Sequence, residues 1–116
     1  MVRLKNSGVT LNWESRTHVE IMAACHAISA GTGLDIVATS GNDGKHSPRS
    51  LHYQDRAIDI RTWDKTTPQR KDMMAELRYN LNFVNTDYDI VYEPTIKDAT
   101  GKITRGEHLH VEYDPK

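Results

Sequence analysis

The chain has one cysteine, Cys25, among its 116 residues, so an internal disulfide is excluded and the fold must stand without that staple. No stretch approaches the roughly 18 consecutive apolar residues of a membrane span, and no membrane insertion is expected. The first ten residues lack the apolar run of about 7–15 that a secretory signal needs. The expectation is a protein made in the cytoplasm; if its target lies beyond the membrane, another agent must release it. Nor is there an excess of one charge, since 15 Lys and Arg face 16 Asp and Glu for a net charge of -1. A nucleic-acid-binding face normally needs surplus positive charge to displace counterions, so no nucleic-acid partner is expected. No repeat, linker or low-complexity segment is present. The length suits one core and not two comfortable ones, which predicts a single domain over residues 1–116 and a monomer.

What is there is histidine, six in all. His46, His52, His108 and His110 fall in two tight groups in polar, glycine-containing surroundings, whereas His18 and His26 sit in a helical pattern. Ser15 or Thr17 can cap that first helix, which runs to about Ala30 with Val19, Met22, Ala23, His26, Ala27 and Ala30 at helical spacing, and stops at Gly31 and Gly33. Cys25 lies within it and reads as a buried, inert thiol. Asp35 to Thr39 is a short β-branched run, and Ala57 to Arg61 alternates so that Ile58 and Ile60 face one way and Asp59 and Arg61 the other. Thr67 as cap and Pro68 in the first turn open a second helix to about Leu81, with Met73, Met74, Leu77 and Leu81 as its apolar stripe. Tyr88 to Tyr92 and His108 to Tyr113 read as further strands joined by a polar connection over Lys97 to Arg105. Two helices and about four strands without β-α-β alternation predict an α+β fold, a small antiparallel sheet packed by two helices.

A catalytic zinc takes three nitrogen or carboxylate ligands and leaves a fourth position open. His52 and Asp59 lie in a loop and on a strand that can converge on one point. Glu107-His108-Leu109-His110 adds an acid and two histidines, and because His108 and His110 share a strand face, either can bind metal. Glu107 would point away in a regular strand, so it must sit in the preceding turn, where Gly106 allows unusual backbone angles.

The run Ser50-Leu51-His52-Tyr53-Gln54-Asp55-Arg56-Ala57-Ile58-Asp59 is similar to the Ser-x-His-x-x-Gly-x-Ala-x-Asp pattern of zinc D-alanyl-D-alanine carboxypeptidases and related phage endolysins. Their superfamily includes lysostaphin-type peptidases and the hedgehog signalling domain, and Glu107 to His110 resembles its Glu-x-x-His element. The resemblance implies that His52, Asp59 and His110 hold Zn2+, that Glu107 is the general base, and that His108 assists at the oxyanion. It implies hydrolysis of a stem-peptide amide in peptidoglycan, by an enzyme released to the cell wall or carried on a virion. Two positions depart from the pattern. Asp55 stands where the glycine is expected, and Ser40-Gly41-Asn42-Asp43 stands where relatives carry Ser-Gly-Tyr-Arg, whose arginine binds the substrate's terminal carboxylate. Arg49 and Arg61 rank first as replacement cations, ahead of Lys45 and Arg56; His46, Tyr53 and Trp63 are candidates to line the substrate groove. The competing expectations are a zinc-binding recognition module without hydrolysis, and a single-strand nicking enzyme suggested by His108-Leu109-His110.

Overall fold

Alternation along two strands sorts the molecule into a core face and a polar face. In the computed structural model, which describes residues 1–43 and 50–115, Ile58 and Ile60 of β3 (Ala57–Arg61) and Leu109 and Val111 of the last strand are wholly buried. They pack with Ile21, Met22, Ile28, Met73, Leu77 and Leu81 from the two helices in one cluster. The intervening residues of the same strands, Asp59, His108 and His110, project from the opposite face.

Helix α1 (Arg16–Thr32) begins at Ser15, whose side chain accepts from the His18 N–H, and ends at Gly33, left-handed at φ 74°. Its buried side carries Thr17, His18, Ile21, Met22, Ala24, Cys25, Ile28 and Ser29. This corrects the expected stripe: Val19, Ala23, His26, Ala27 and Ala30 are exposed. Alanines have little area to bury, so the larger Ile21, Met22 and Ile28 decide which side turns inward. Burial pushes the Cys25 thiol up to about 12, which leaves it inert. Helix α2 (Thr67–Val84) is capped by Thr66, one residue before the expected Thr67, because Thr66 and Gln69 complete a reciprocal capping box. Among the described residues no helix is long and apolar enough to cross a membrane.

The main sheet has five strands in the order β1-β2-β3-β7-β4: β1 (Val2–Leu4), β2 (Ile36–Ser40), β3, β7 (His108–Tyr113) and β4 (Tyr88–Glu93). The α+β class holds, but the sheet is mixed, since β1 joins β2 in parallel while the other pairings are antiparallel. The stretch read as a polar connection forms a second, two-stranded sheet from β5 (Ile96–Lys97) and β6 (Ile103–Arg105). Its turn is held by the Asp98 carboxylate, which accepts from the N–H groups of Thr100 and Lys102, and by Gly101 at φ 85°.

His18 ties α1 to the segment before it. Its ring is wholly buried and Nδ1 accepts from the Asn12 N–H at 3.0 Å, so the neutral ring carries its proton on Nε2. Burial lowers its pKa below the ordinary 6.5, against the pull of Asp55. The folded chain therefore binds fewer protons than the unfolded chain just below pH 6.5, and this contribution is complete above that value and lost as the pH falls. Melting in the presence of chelator from pH 7.5 to 5.5 should fall more steeply for wild type than for His18→Asn, which keeps an acceptor near Nδ1; equal slopes would dismiss the assignment.

Candidate metal centre

Register brings the first two donors together. Asp59 of β3 lies directly opposite His110 of β7, on the face away from the helices, and the Asp59 carboxylate meets His110 Nδ1 at 3.0 Å. The third donor comes from a single 3-10 turn, Leu51–Gln54, that brings His52 onto this face with a ring only 1% exposed. His52 Nε2 lies 3.2 Å from Asp59 Oδ1 and 3.2 Å from His110 Nδ1.

That turn is fixed at both ends. Ser50 accepts from the His52 N–H at its start, and Asp55, left-handed at φ 56°, closes it. The Asp55 carboxylate accepts from Asn12 at 2.8 Å and from Asn42 at 2.9 Å, while its carbonyl accepts from the Ser15 hydroxyl. His52 Nδ1–H donates to the Gly41 carbonyl at 2.7 Å. Gly41 has no room for a side chain, since a Cβ would fall 2.1 Å from the Thr10 carbonyl oxygen.

The donor chemistry suits a divalent ion. A carbonyl can only accept, so the Gly41 contact keeps the neutral His52 proton on Nδ1 and leaves the Nε2 lone pair facing Asp59. His110 Nε2 faces Glu112 at 3.6 Å, which favours the proton there and the Nδ1 lone pair inward. Tetrahedral zinc with bonds of about 2.0–2.1 Å sets its donors about 3.3–3.4 Å apart, close to the observed spacings. Although burial alone would raise it, the Asp59 pKa is held far below the ordinary carboxylate range by the imidazoles of His110, His52 and His108 that face the carboxylate. Burial opposes a charged His110, yet Asp59, Glu112 and Glu93 raise its pKa above the ordinary value. A proton on His110 answers one of the three contacts, whereas a metal ion answers all of them.

Beside these donors lies a cleft of about 430 Å3, whose lining includes Asp59, Glu107, His108, Lys5, Arg61 and Trp63. Glu107 precedes β7, as expected, and accepts from the Thr62 hydroxyl at 3.0 Å. Gly106 does not explain that placement, because positive φ among the described glycines is confined to Gly33 and Gly101. A Cβ on Gly106 would meet nothing within 4 Å. His108 Nδ1 contacts the Gly106 carbonyl at 2.9 Å, and its Nε2 lies 3.3 Å from Arg105, 3.4 Å from Glu93 and 3.8 Å from Asp59. Tyr53 is exposed on the 3-10 turn and is not part of the cleft lining. His46, Arg49 and Lys45 lie outside the described residues. Sequence reasoning passed over Thr62, Asn12 and Glu93, and read Asn42 only as a departure from the family pattern; the neighbours of Glu107 and Asp55 are distant in the chain, and no spacing marks them.

Fold and donor set together define a small α+β domain with a candidate His-Asp-His metal centre. The sequence profile of the hedgehog amino-terminal signalling domain matches residues 10–95, most of the chain, and the chain belongs to that family. The family lies within the zinc peptidase-like superfamily. The match covers His52 and Asp59 and ends before Glu107 and His110. The chain is also similar to Albumin-1 of Psophocarpus tetragonolobus, 36% identical over 61 residues covering 49% of this chain and 34% of that protein. It thus spans about a third of the length of that curated relative.

His52→Ala, Asp59→Ala and His110→Ala should each lose the zinc that wild type retains after dialysis, while His108→Ala should keep it; elemental analysis decides, and full zinc in any of the first three would remove that residue from the ligand set. Asp55→Gly relieves the positive φ but deletes both asparagine contacts. We expect a net loss of about 1–2 kcal/mol in denaturant unfolding, and a gain would mean that backbone strain outweighs the network.

Proposed function

We propose that the chain is a zinc-dependent hydrolase of a stem-peptide or cross-link amide bond in bacterial peptidoglycan. The observation that carries this reading is that Glu107, a carboxylate outside the donor set, lines the same cleft as Asp59 and His108. A site built only to hold an ion has no use for it. In this reading the partner is the peptidoglycan stem peptide, met by a monomer in the cell wall after release or from a virion.

Zinc held by His52, Asp59 and His110 would polarise the scissile carbonyl and bring the ionisation of water towards neutral pH. Glu107 takes the proton of the attacking water and returns it to the leaving amine. The Thr62 hydroxyl occupies Glu107 Oε1, which fixes the carboxylate and leaves Oε2 to carry that proton. His108, whose Nε2 lies near Arg105, Glu93 and Asp59, lines the cleft with Glu107 and in this reading assists at the developing oxyanion.

One finding favours a second reading, a recognition domain that keeps the ion and does not hydrolyse: the family is described as a signalling domain. Mass analysis of fragments released from defined peptidoglycan separates the two. Wild type should release peptide fragments, and Glu107→Gln should keep its zinc while slowing release by about a hundred- to ten-thousand-fold. Unchanged turnover in Glu107→Gln would give the base role to another group, and zinc-loaded wild type that releases nothing would favour recognition.

A further inference from the structure

We propose that the segment over residues 10–15, which leads into helix α1, is a clamp that sets the metal affinity of His52, with Asn12 as its positioning residue. Such a clamp acts on the donor set alone and operates whether or not the bound ion hydrolyses anything. His52 is held in two places, its ring by the Gly41 carbonyl and its turn by Asp55, and the segment reaches both. On the ring side, the Thr10 carbonyl accepts from the Asn42 N–H at 3.0 Å, and the Thr10 N–H donates to the Asp43 carboxylate at 2.9 Å. Gly41 lies so close to this segment that a Cβ there would fall 2.1 Å from the Thr10 carbonyl oxygen and 2.4 Å from Leu11 Cδ2. On the turn side, the Asn12 side-chain N–H donates to Asp55 Oδ2 at 2.8 Å, and the Ser15 hydroxyl donates to the Asp55 carbonyl at 2.7 Å.

Asn12 is the point where the clamp is fixed to the helix. Its backbone N–H donates to His18 Nδ1 at 3.0 Å, its carbonyl accepts from the Ser15 N–H at 2.9 Å, and its Oδ1 accepts from the Glu14 N–H at 3.0 Å. With Oδ1 committed to a donor, the amide can turn only its Nδ2 towards Asp55. Backbone and side chain are thus specified together, and the wholly buried His18 and the Ser15 cap carry the constraint into α1. Asp55 in turn closes the 3-10 turn that carries His52, so the helix reaches the metal donor through one asparagine and one aspartate. His52 Nε2 stands 3.2 Å from both Asp59 Oδ1 and His110 Nδ1, so a shift of its turn spoils two donor spacings at once. Contacts behind a ligand that fix its position in this way govern metal affinity without touching the ion.

Zinc affinity is measured on the whole chain by competition with a chromophoric chelator, and stability by denaturant unfolding of the same samples. Asn12→Ala should weaken zinc binding about ten- to a hundred-fold, and Asn12→Asp, which turns an oxygen towards Asp55 in place of the N–H, should weaken it at least as much. Combining Asn12→Asp with Asp55→Asn exchanges donor and acceptor, keeps an oxygen for Asn42, and should return most of the lost affinity. Ile28→Val, which removes one methylene from the core cluster, should lower stability and leave zinc affinity unchanged. Unchanged affinity in Asn12→Ala, an equal loss in Ile28→Val, or no recovery in the exchanged pair would overturn the clamp. If a single substitution at position 12 does not fold, the exchanged pair and Ile28→Val still decide. Wild type that binds no zinc would overturn the clamp together with the donor set. Zinc affinity that depends on Asn12 in a chain that releases no peptide fragments would leave the clamp and remove the hydrolase.

Discussion

Asp59 and His110 face each other across β3 and β7, and every other feature of the candidate centre is arranged around that pair. Their meeting is decided on the other side of the sheet. Ile58 opposes Val111 and Ile60 opposes Leu109, all wholly buried under the helices, and a slip of one residue would turn these four into the polar face and the donors into the core. Hydrophobic burial therefore sets the distance between a carboxylate and an imidazole that take no part in it. The same register sets Glu93 opposite His108, also on the polar face.

His52 is the donor that sheet pairing cannot place, since it arrives on one helical turn. Its ring is oriented by the Gly41 carbonyl and its turn is closed by Asp55. Two departures from the zinc peptidase pattern turn out to be coupled here: Asn42 donates to Asp55 at 2.9 Å. Asp43, at the next position, accepts from the N–H groups of Gly41 and Thr10 and so braces the backbone that holds His52. An aspartate where glycine was expected brings an acceptor as well as a positive φ, and two asparagines use it. The Asp55 pKa is lowered by these two contacts, Asn12 first and Asn42 second, so the carboxylate remains an acceptor well into acid.

How much of this was legible follows from the range of each signal. Alternation in Ala57–Arg61 and His108–Tyr113 reveals two strands and their faces, because one face of each is apolar throughout. The donor residues were legible as residue types, and bringing them together needed the register. The parallel β1, of three residues, is too short to display a period, and the β5 and β6 hairpin is exposed on both faces and so has no apolar pattern to read. The face of α1 was misread because its alanines follow helical spacing as well as the larger residues do. Gly106 was assigned a backbone role on its chemistry alone; what holds Glu107 is Thr62, a contact 45 residues away in sequence.

The centre also weighs on the stability of the fold that carries it. Asp59 is 5% exposed and His52 1%, so a carboxylate and an imidazole lone pair are held away from water at 3.2 Å. Taking a charge out of water costs several kcal/mol unless partners answer it. Here the answer within the protein is incomplete, because a single shared proton between His110 and Asp59 still leaves the His52 Nε2 lone pair turned towards the Asp59 carboxylate. A cation among the three donors removes that conflict, and since the unfolded chain has no such assembled site, metal binding energy becomes folding energy. The hydrophobic face of the sheet and the ion on its polar face would then favour the same register, one by excluding water and the other by drawing together residues that would otherwise repel.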